Sequence, residues 1–202
     1  MPMSKPQRDI LTEKITNTFI WDFKKGDNII YNFEILWALY EAKIHYKGNK
    51  LLFNKPITIT IISIIECILD DFIRRIKRRV SDALPNISSA VADDFKYKRS
   101  GQTLAIKKLE KFNHYIDISE KHNIFGTKKI FYQVLRNLRD IRNKVHIQDS
   151  GEDEDRIFTD KNLTLSEKVL GHIIKVMIVA YPRWDKKTDD KDIPYPWRIL
   201  IK

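Results

Sequence analysis

The chain holds one cysteine in 202 residues, so no intramolecular disulfide can form. Cys67 lies inside the apolar run ITITIISIIECILDDF, where a free thiol behaves as a small buried hydrophobe. A reducing, cytoplasmic setting is the expectation that follows. Glycine is also scarce, with 6 residues. None is spaced as a phosphate loop or a dinucleotide fingerprint requires, and FGTKKI at 125–130 is no substitute, so nucleotide-cofactor chemistry has no visible seat. No G-x-S-x-G elbow presents a serine nucleophile. Five scattered histidines and the single cysteine form no zinc-ligand pattern, and His114 and His122 read as surface histidines. Neither a metal nor a cofactor is expected. Long apolar runs are missing as well. The longest is interrupted by Glu66 and Asp70 and is too short for a hydrocarbon layer of about 30 Å. MPMSKPQRDI at the N-terminus has no apolar stretch to serve as a signal sequence, and no membrane partner is expected. Finally, acid is in deficit: 27 Asp and Glu stand against 37 Lys and Arg, a net +10 that favours polyanionic partners.

What is present is helical periodicity. The length suits a single domain over 1–202, with a bundle core over about 28–180 and an irregular tail over 181–202. DILTEKITNTFIWDF at 9–23 fits both helix and strand, with helix preferred. Ile29, Phe33, Leu36, Trp37 and Tyr40 form one apolar stripe that Ile44 extends, with Asp27 or Asn28 as cap and Gly48 as stop. Pro56 opens a longer helix through Ile61, Ile64, Ile65, Ile68, Leu69, Phe72 and Ile76, and its end RRIKRR at 74–79 suits the negative end of the helix dipole. Residues 81–103 read as a loop with a short helix, TLAIKKLEKFNHYIDI as a modest helix, and TKKIFYQVLRNLRDIRNKVHI as a strong one beginning near Thr127. An acidic run, DSGEDED at 149–155, reads as a solvated loop, and RIFT as a short extended piece. Thr164 and Glu167 make a capping box for a last helix through Val169, Ile173, Val176, Met177 and Ala180, which Pro182 ends. The tail is rich in proline, and its Trp184, Tyr195 and Trp197 are expected to pack on the bundle or on a partner. The fold class is all-α.

The stretch LRNLRDIRNKVHIQDS at 135–150 carries the chemistry. On a helix, Phe131, Val134, Leu138, Ile141 and Val145 gather into a core stripe, and Arg142, His146 and Arg139 form a row along its edge, with Arg136 and Asn143 just beyond. At an edge a side chain is partly desolvated yet reaches a ligand. Arginine offers planar paired donors to phosphate oxygens, and histidine both gives and takes a proton near neutrality. Together they suffice for metal-free RNA cleavage, in which a base activates the ribose 2′-OH and cations stabilise the charge that develops on phosphorus. The same pattern also occurs as an ordinary solvated helix edge in basic proteins.

LRDIRNKVHI, at the end of a strong helix in a small helical chain, resembles the motif of HEPN domains, in which an Arg, often followed by Asn, precedes a His. The helix with Glu66 among its apolar residues is similar to the earlier core helix of that family, which often bears an acidic residue. The likeness spans about residues 28–180. It implies a HEPN-like antiparallel bundle that dimerises with its two Arg/His motifs facing, and a metal-independent endoribonuclease of a toxin–antitoxin or other defence system. It further implies RNA as substrate, and an antitoxin or other regulatory protein as partner. Carried over, His146 is the acid/base, Arg139 or Arg142 binds phosphate, and Asn143, with Arg136 and Glu66, is supporting. Arg142 stands closer to His146 than is usual in the family, whereas Arg139 stands at the usual interval but precedes Asp140 instead of Asn. A member that binds RNA or protein without cutting is the other reading this spacing leaves open.

Overall fold

Among the residues it describes, 5–78, 87, 112–145 and 153–182, the computed structural model is all-α with no strand. The described residues hold seven α-helices: α1 (Lys5–Thr18), α2 (Phe23–His45), α3 (Asn54–Arg78), α4 (Phe112–Lys121), α5 (Lys129–Asn143), α6 (Glu154–Ile157) and α7 (Asp160–Ala180). A 3-10 turn, Lys50–Phe53, leads into α3. The expected loop at 81–103 and the tail residues Trp184, Tyr195 and Trp197 lie outside the described residues.

The β-branched content of α3 does not stop it from being a helix, because tertiary burial outweighs its modest intrinsic propensity. Ile57, Ile61, Ile62, Ile64, Ile65, Ile68, Leu69, Phe72, Ile73 and Ile76 are all fully buried. Each such side chain is worth about 1.5–3 kcal/mol on leaving water. Buried positions this numerous occupy more than one stripe, and α2, α4, α5 and α7 all pack on α3 as the bundle's axis. Contacts at both ends fix directions. Lys43 late in α2 meets Asn54 at the start of α3, and Lys25 early in α2 meets Asp70 late in α3, so these two helices are antiparallel. Asp160 meets Asn54 at their shared starts and Tyr181 packs on Phe72 at the other end, so α7 runs parallel to α3.

Several local expectations change. Leu11, Ile15, Phe19 and Ile20 join the core, which therefore begins well before residue 28. The cap of α2 is Asp22 instead of Asp27 or Asn28: its Oδ1 accepts from Lys24 N and Lys25 N, and its own N–H donates to Asp71, a tertiary anchor that sets the helix start. At the other end the helix stops at His45, and Ile44 is 47% exposed instead of extending the core stripe. Cys67 is partly buried against the core, and burial pushes its thiol up to about 11. His114 and His122 are half-buried, not surface residues. RIFT begins within a helical turn, α6, which buries Ile157. Thr159 caps α7 by accepting from Asn162 N at 3.2 Å, which leaves Thr164 inside the helix. Between α4 and α5, Tyr132 Oη accepts from Phe125 N at 3.1 Å and donates to Gly126 O at 2.8 Å, tying down a turn whose Gly126 has φ of +102°.

Glu167, read as half of a capping box, is instead buried and accepts a hydrogen bond from Tyr40. Burial raises its carboxyl above the ordinary range, although Tyr40 and Lys43 act in the opposite sense. A raised folded-state value means that this contribution to stability is complete below the unfolded carboxylate range and is lost as pH rises through the folded value. Glu167→Gln keeps an acceptor for Tyr40 without the charge. Urea midpoints measured across the weakly acidic to neutral range are expected to show the variant gaining on the wild type as pH rises; a gap that stays constant or narrows would contradict this.

Candidate nucleic-acid interface

The strong helix of the sequence is α5, and it ends at Asn143, followed by a turn in which Val145 N donates to Arg142 O. The helical row covers Arg139 and Arg142, and His146 lies outside the described residues. The buried face of α5 is centred on Tyr132, Leu135 and Leu138, while Phe131, Val134 and Ile141 are only partly buried and flank it. Val145, expected in the stripe, lies in the turn. The face is rotated from the expected one, and α4 packs beside α5 on the side of Arg136 and Arg139. At about 100° per residue, Arg142 projects between Leu135 and Leu138, hence onto the packed face and not its rim. Only its place in the last turn lets its guanidinium leave the core.

The three arginines have different partners. Arg136 Nη2 contacts Asp117 at 2.8 Å and Glu120 at 2.5 Å, both on α4. Arg139 donates to Asn113 on α4 and contacts Asp140 at 2.5 Å. Arg142 Nη2 contacts Glu66 on α3 at 3.0 Å. Their side chains are 25%, 26% and 41% exposed, in that order, so the side chain whose one carboxylate partner is Glu66 is also the most open to solvent. Asn143 is exposed at the end of the helix. Thus Glu66 and Arg142 are brought together, while Arg136 and Arg139 are turned towards α4.

One turn beyond Glu66 lies a second carboxylate centre that sequence reasoning did not single out. Asp70 accepts from Tyr115 Oη at 2.5 Å and from Arg74 Nε at 2.8 Å, and it pairs with Lys25 at 2.5 Å. Burial opposes its charge, but the hydrogen bonds from Lys25, Tyr115 and Arg74 prevail and hold the carboxyl below its usual range. Glu66 differs: burial dominates and lifts its carboxyl, Arg142 opposes this, and the negative charge of Asp70 adds to it. The i,i+4 series Glu66, Asp70, Arg74 was a visible signal for this centre. Its long-range members Lys25 and Tyr115 had none.

The basic run at 74–79 is divided. Arg74 serves Asp70, whereas Arg75 is buried, with its guanidinium 5.3 Å from the Phe72 ring and 5.8 Å from Trp21, and donates to Tyr181 O at 3.4 Å. Arg75 is therefore a core cation and not part of a solvated turn. Arg79 and the side chains of Lys77 and Arg78 lie outside the described residues. Within the acidic run, Glu154 contacts Lys55 at 2.5 Å.

Among the described residues no group of three or more His, Cys, Asp or Glu is arranged to hold a metal ion, and no helix is long and apolar enough to cross a membrane. Comparison with known proteins finds no matching family model, no matching curated protein and no matching solved structure.

Proposed function

We propose that the chain is a metal-independent endoribonuclease that cuts RNA by attack of the 2′-OH on the adjacent phosphorus, acting as a two-fold dimer in a toxin or defence role under a regulatory partner protein. One observation carries the reading: Arg142, four positions before His146, has a side chain that is 41% exposed, with its guanidinium tethered by Glu66. The charge of +10 and the likeness of LRDIRNKVHI to the HEPN motif support it. In this reading Arg142 binds the scissile phosphate, His146 moves the proton, and Asn143 adds a polar contact. Arg139, compensated by Asp140 and Asn113, and Arg136, compensated by Asp117 and Glu120, shape the surface.

The chemistry has a defined product. Pure protein incubated with mixed RNA in EDTA is expected to yield 2′,3′-cyclic phosphate and 5′-OH ends, to leave DNA intact, and to lose this activity in His146→Ala. DNA cleavage, or an activity removed by chelation and restored by a divalent metal, would overturn the mechanism. A second reading is a HEPN-like module that binds RNA or protein without cutting. It is favoured by the internal pairing of Arg136 and Arg139 and by the end of α5 before His146. Retained RNA binding without product in the same assay would select it.

A further inference from the structure

We infer that an RNA phosphate and the Glu66 carboxylate compete for Arg142, so that RNA binding is accompanied by uptake of a proton at Glu66. The inference rests on the reading of Arg142 as the phosphate-binding arginine. Arg142 is tied to Glu66 by a contact of 3.0 Å, and Glu66 is held in a half-buried position on α3. Among the described residues, Glu66 faces Arg142 from α5 and Asp70 from its own helix. The nearby donors are committed elsewhere: Lys25 from α2, Tyr115 from α4 and Arg74 from α3 converge on Asp70. Arg142 is thus the compensating cation of Glu66.

A phosphodiester reaching Arg142 brings a negative charge to a guanidinium already shared with a carboxylate. If the carboxylate is displaced, Glu66 is left in a partly desolvated position beside a negative Asp70, and its charged form loses its main support. If it stays, two anions share one cation within a few ångströms. Both routes favour the neutral acid. The exchange balances: the ion pair, one phosphate anion and one proton become an arginine–phosphate pair and a protonated Glu66, with the proton drawn from solvent. Arg139 does not offer the same device, because Asp140 is about half-exposed and remains solvated when a competitor arrives, and Arg136 can give up the half-exposed Asp117 to a competitor while the less exposed Glu120 stays paired.

Linkage gives the sign. Binding that takes up a proton weakens as pH rises, by at most about tenfold per pH unit for one proton. The test uses a short 2′-O-methyl RNA, which lacks the nucleophilic hydroxyl, titrated calorimetrically in buffers of different ionisation enthalpy. An imidazole is ionisable near neutrality, so the measurement is made in a His146→Ala background. Expected are net proton uptake in that background, its loss on adding Glu66→Gln, and binding several-fold tighter with Glu66→Gln at pH 8. Uptake unchanged by Glu66→Gln, or a loss of affinity as large as that of Arg142→Ala, would overturn the inference and make Glu66 a positioning residue. Arg142→Ala binding as tightly as the background at every pH would instead remove the phosphate reading itself.

Discussion

Arg142→Ala is expected to lower RNA cleavage about tenfold to 150-fold, with a far smaller loss for Arg139→Ala. A hydrogen bond to a charged phosphate is worth about 1.5–3 kcal/mol, and each 1.36 kcal/mol is a factor of ten in rate. Arg142 is the right test because its side chain is the most exposed of the three and its guanidinium shares one half-buried carboxylate. Arg139 is already engaged by Asn113 and Asp140, and moving it to a phosphate sacrifices those contacts. Arg142→Lys separates geometry from charge, since lysine keeps the charge but loses the planar paired donors. Partial recovery with lysine is expected. Urea denaturation of each variant guards against a folding artefact. If both alanine variants cut within twofold of wild type, or Arg139→Ala proved the more damaging, the assignment of Arg142 would fail.

Asp71→Ala is expected to destabilise the fold by about 1–3 kcal/mol, a loss readily seen as a fall in Tm. Asp71 is 3% exposed and Arg75 5%, and they lie one turn apart on α3. The carboxylate also accepts from the backbone N–H groups of Trp21 and Asp22, each at 3.3 Å, where α1 passes into α2. Burial lifts the Asp71 carboxyl above its usual range even with Arg75 opposing, so the intact pair is no large net gain. Removing one member is the costly step, because a buried guanidinium then loses its counter-charge and two N–H groups lose their acceptor. The double variant Asp71→Ala with Arg75→Met should therefore recover part of the loss. Additive losses in that cycle would show that the two charges do not act as a pair.

Much of the helical content was legible because periodicity reports burial directly. Ile29, Phe33, Leu36, Trp37 and Tyr40 are buried as their spacing required, and Val169, Ile173 and Met177 line the core face of α7. Boundaries were harder to read where tertiary contacts decide them. Asp22 caps α2 with Asp71 fixing its backbone, and no local pattern announces a residue about 50 positions away. The candidate site was legible as a set of residue types but not as an arrangement. Projection from the apolar stripe alone put Arg142 at the rim, because it could not include α4 packing beside α5. Partners were invisible for the same reason: Glu66 and Arg142 are brought together by the crossing of two helices far apart in sequence.

The parallel pairing of α3 with α7 has a consequence for synthesis. Asn54 and Asp160, joined at 3.1 Å, are 106 residues apart, and the contact that α7 makes with α3 cannot form until residues 160–180 exist. At about 5–20 residues per second, the ribosome takes several seconds or more to traverse that interval. Throughout it an isoleucine-rich helix waits for its neighbour, exposed to premature association with other nascent chains. The growing polypeptide is thus vulnerable until residues 160–180 have emerged and α7 packs on α3.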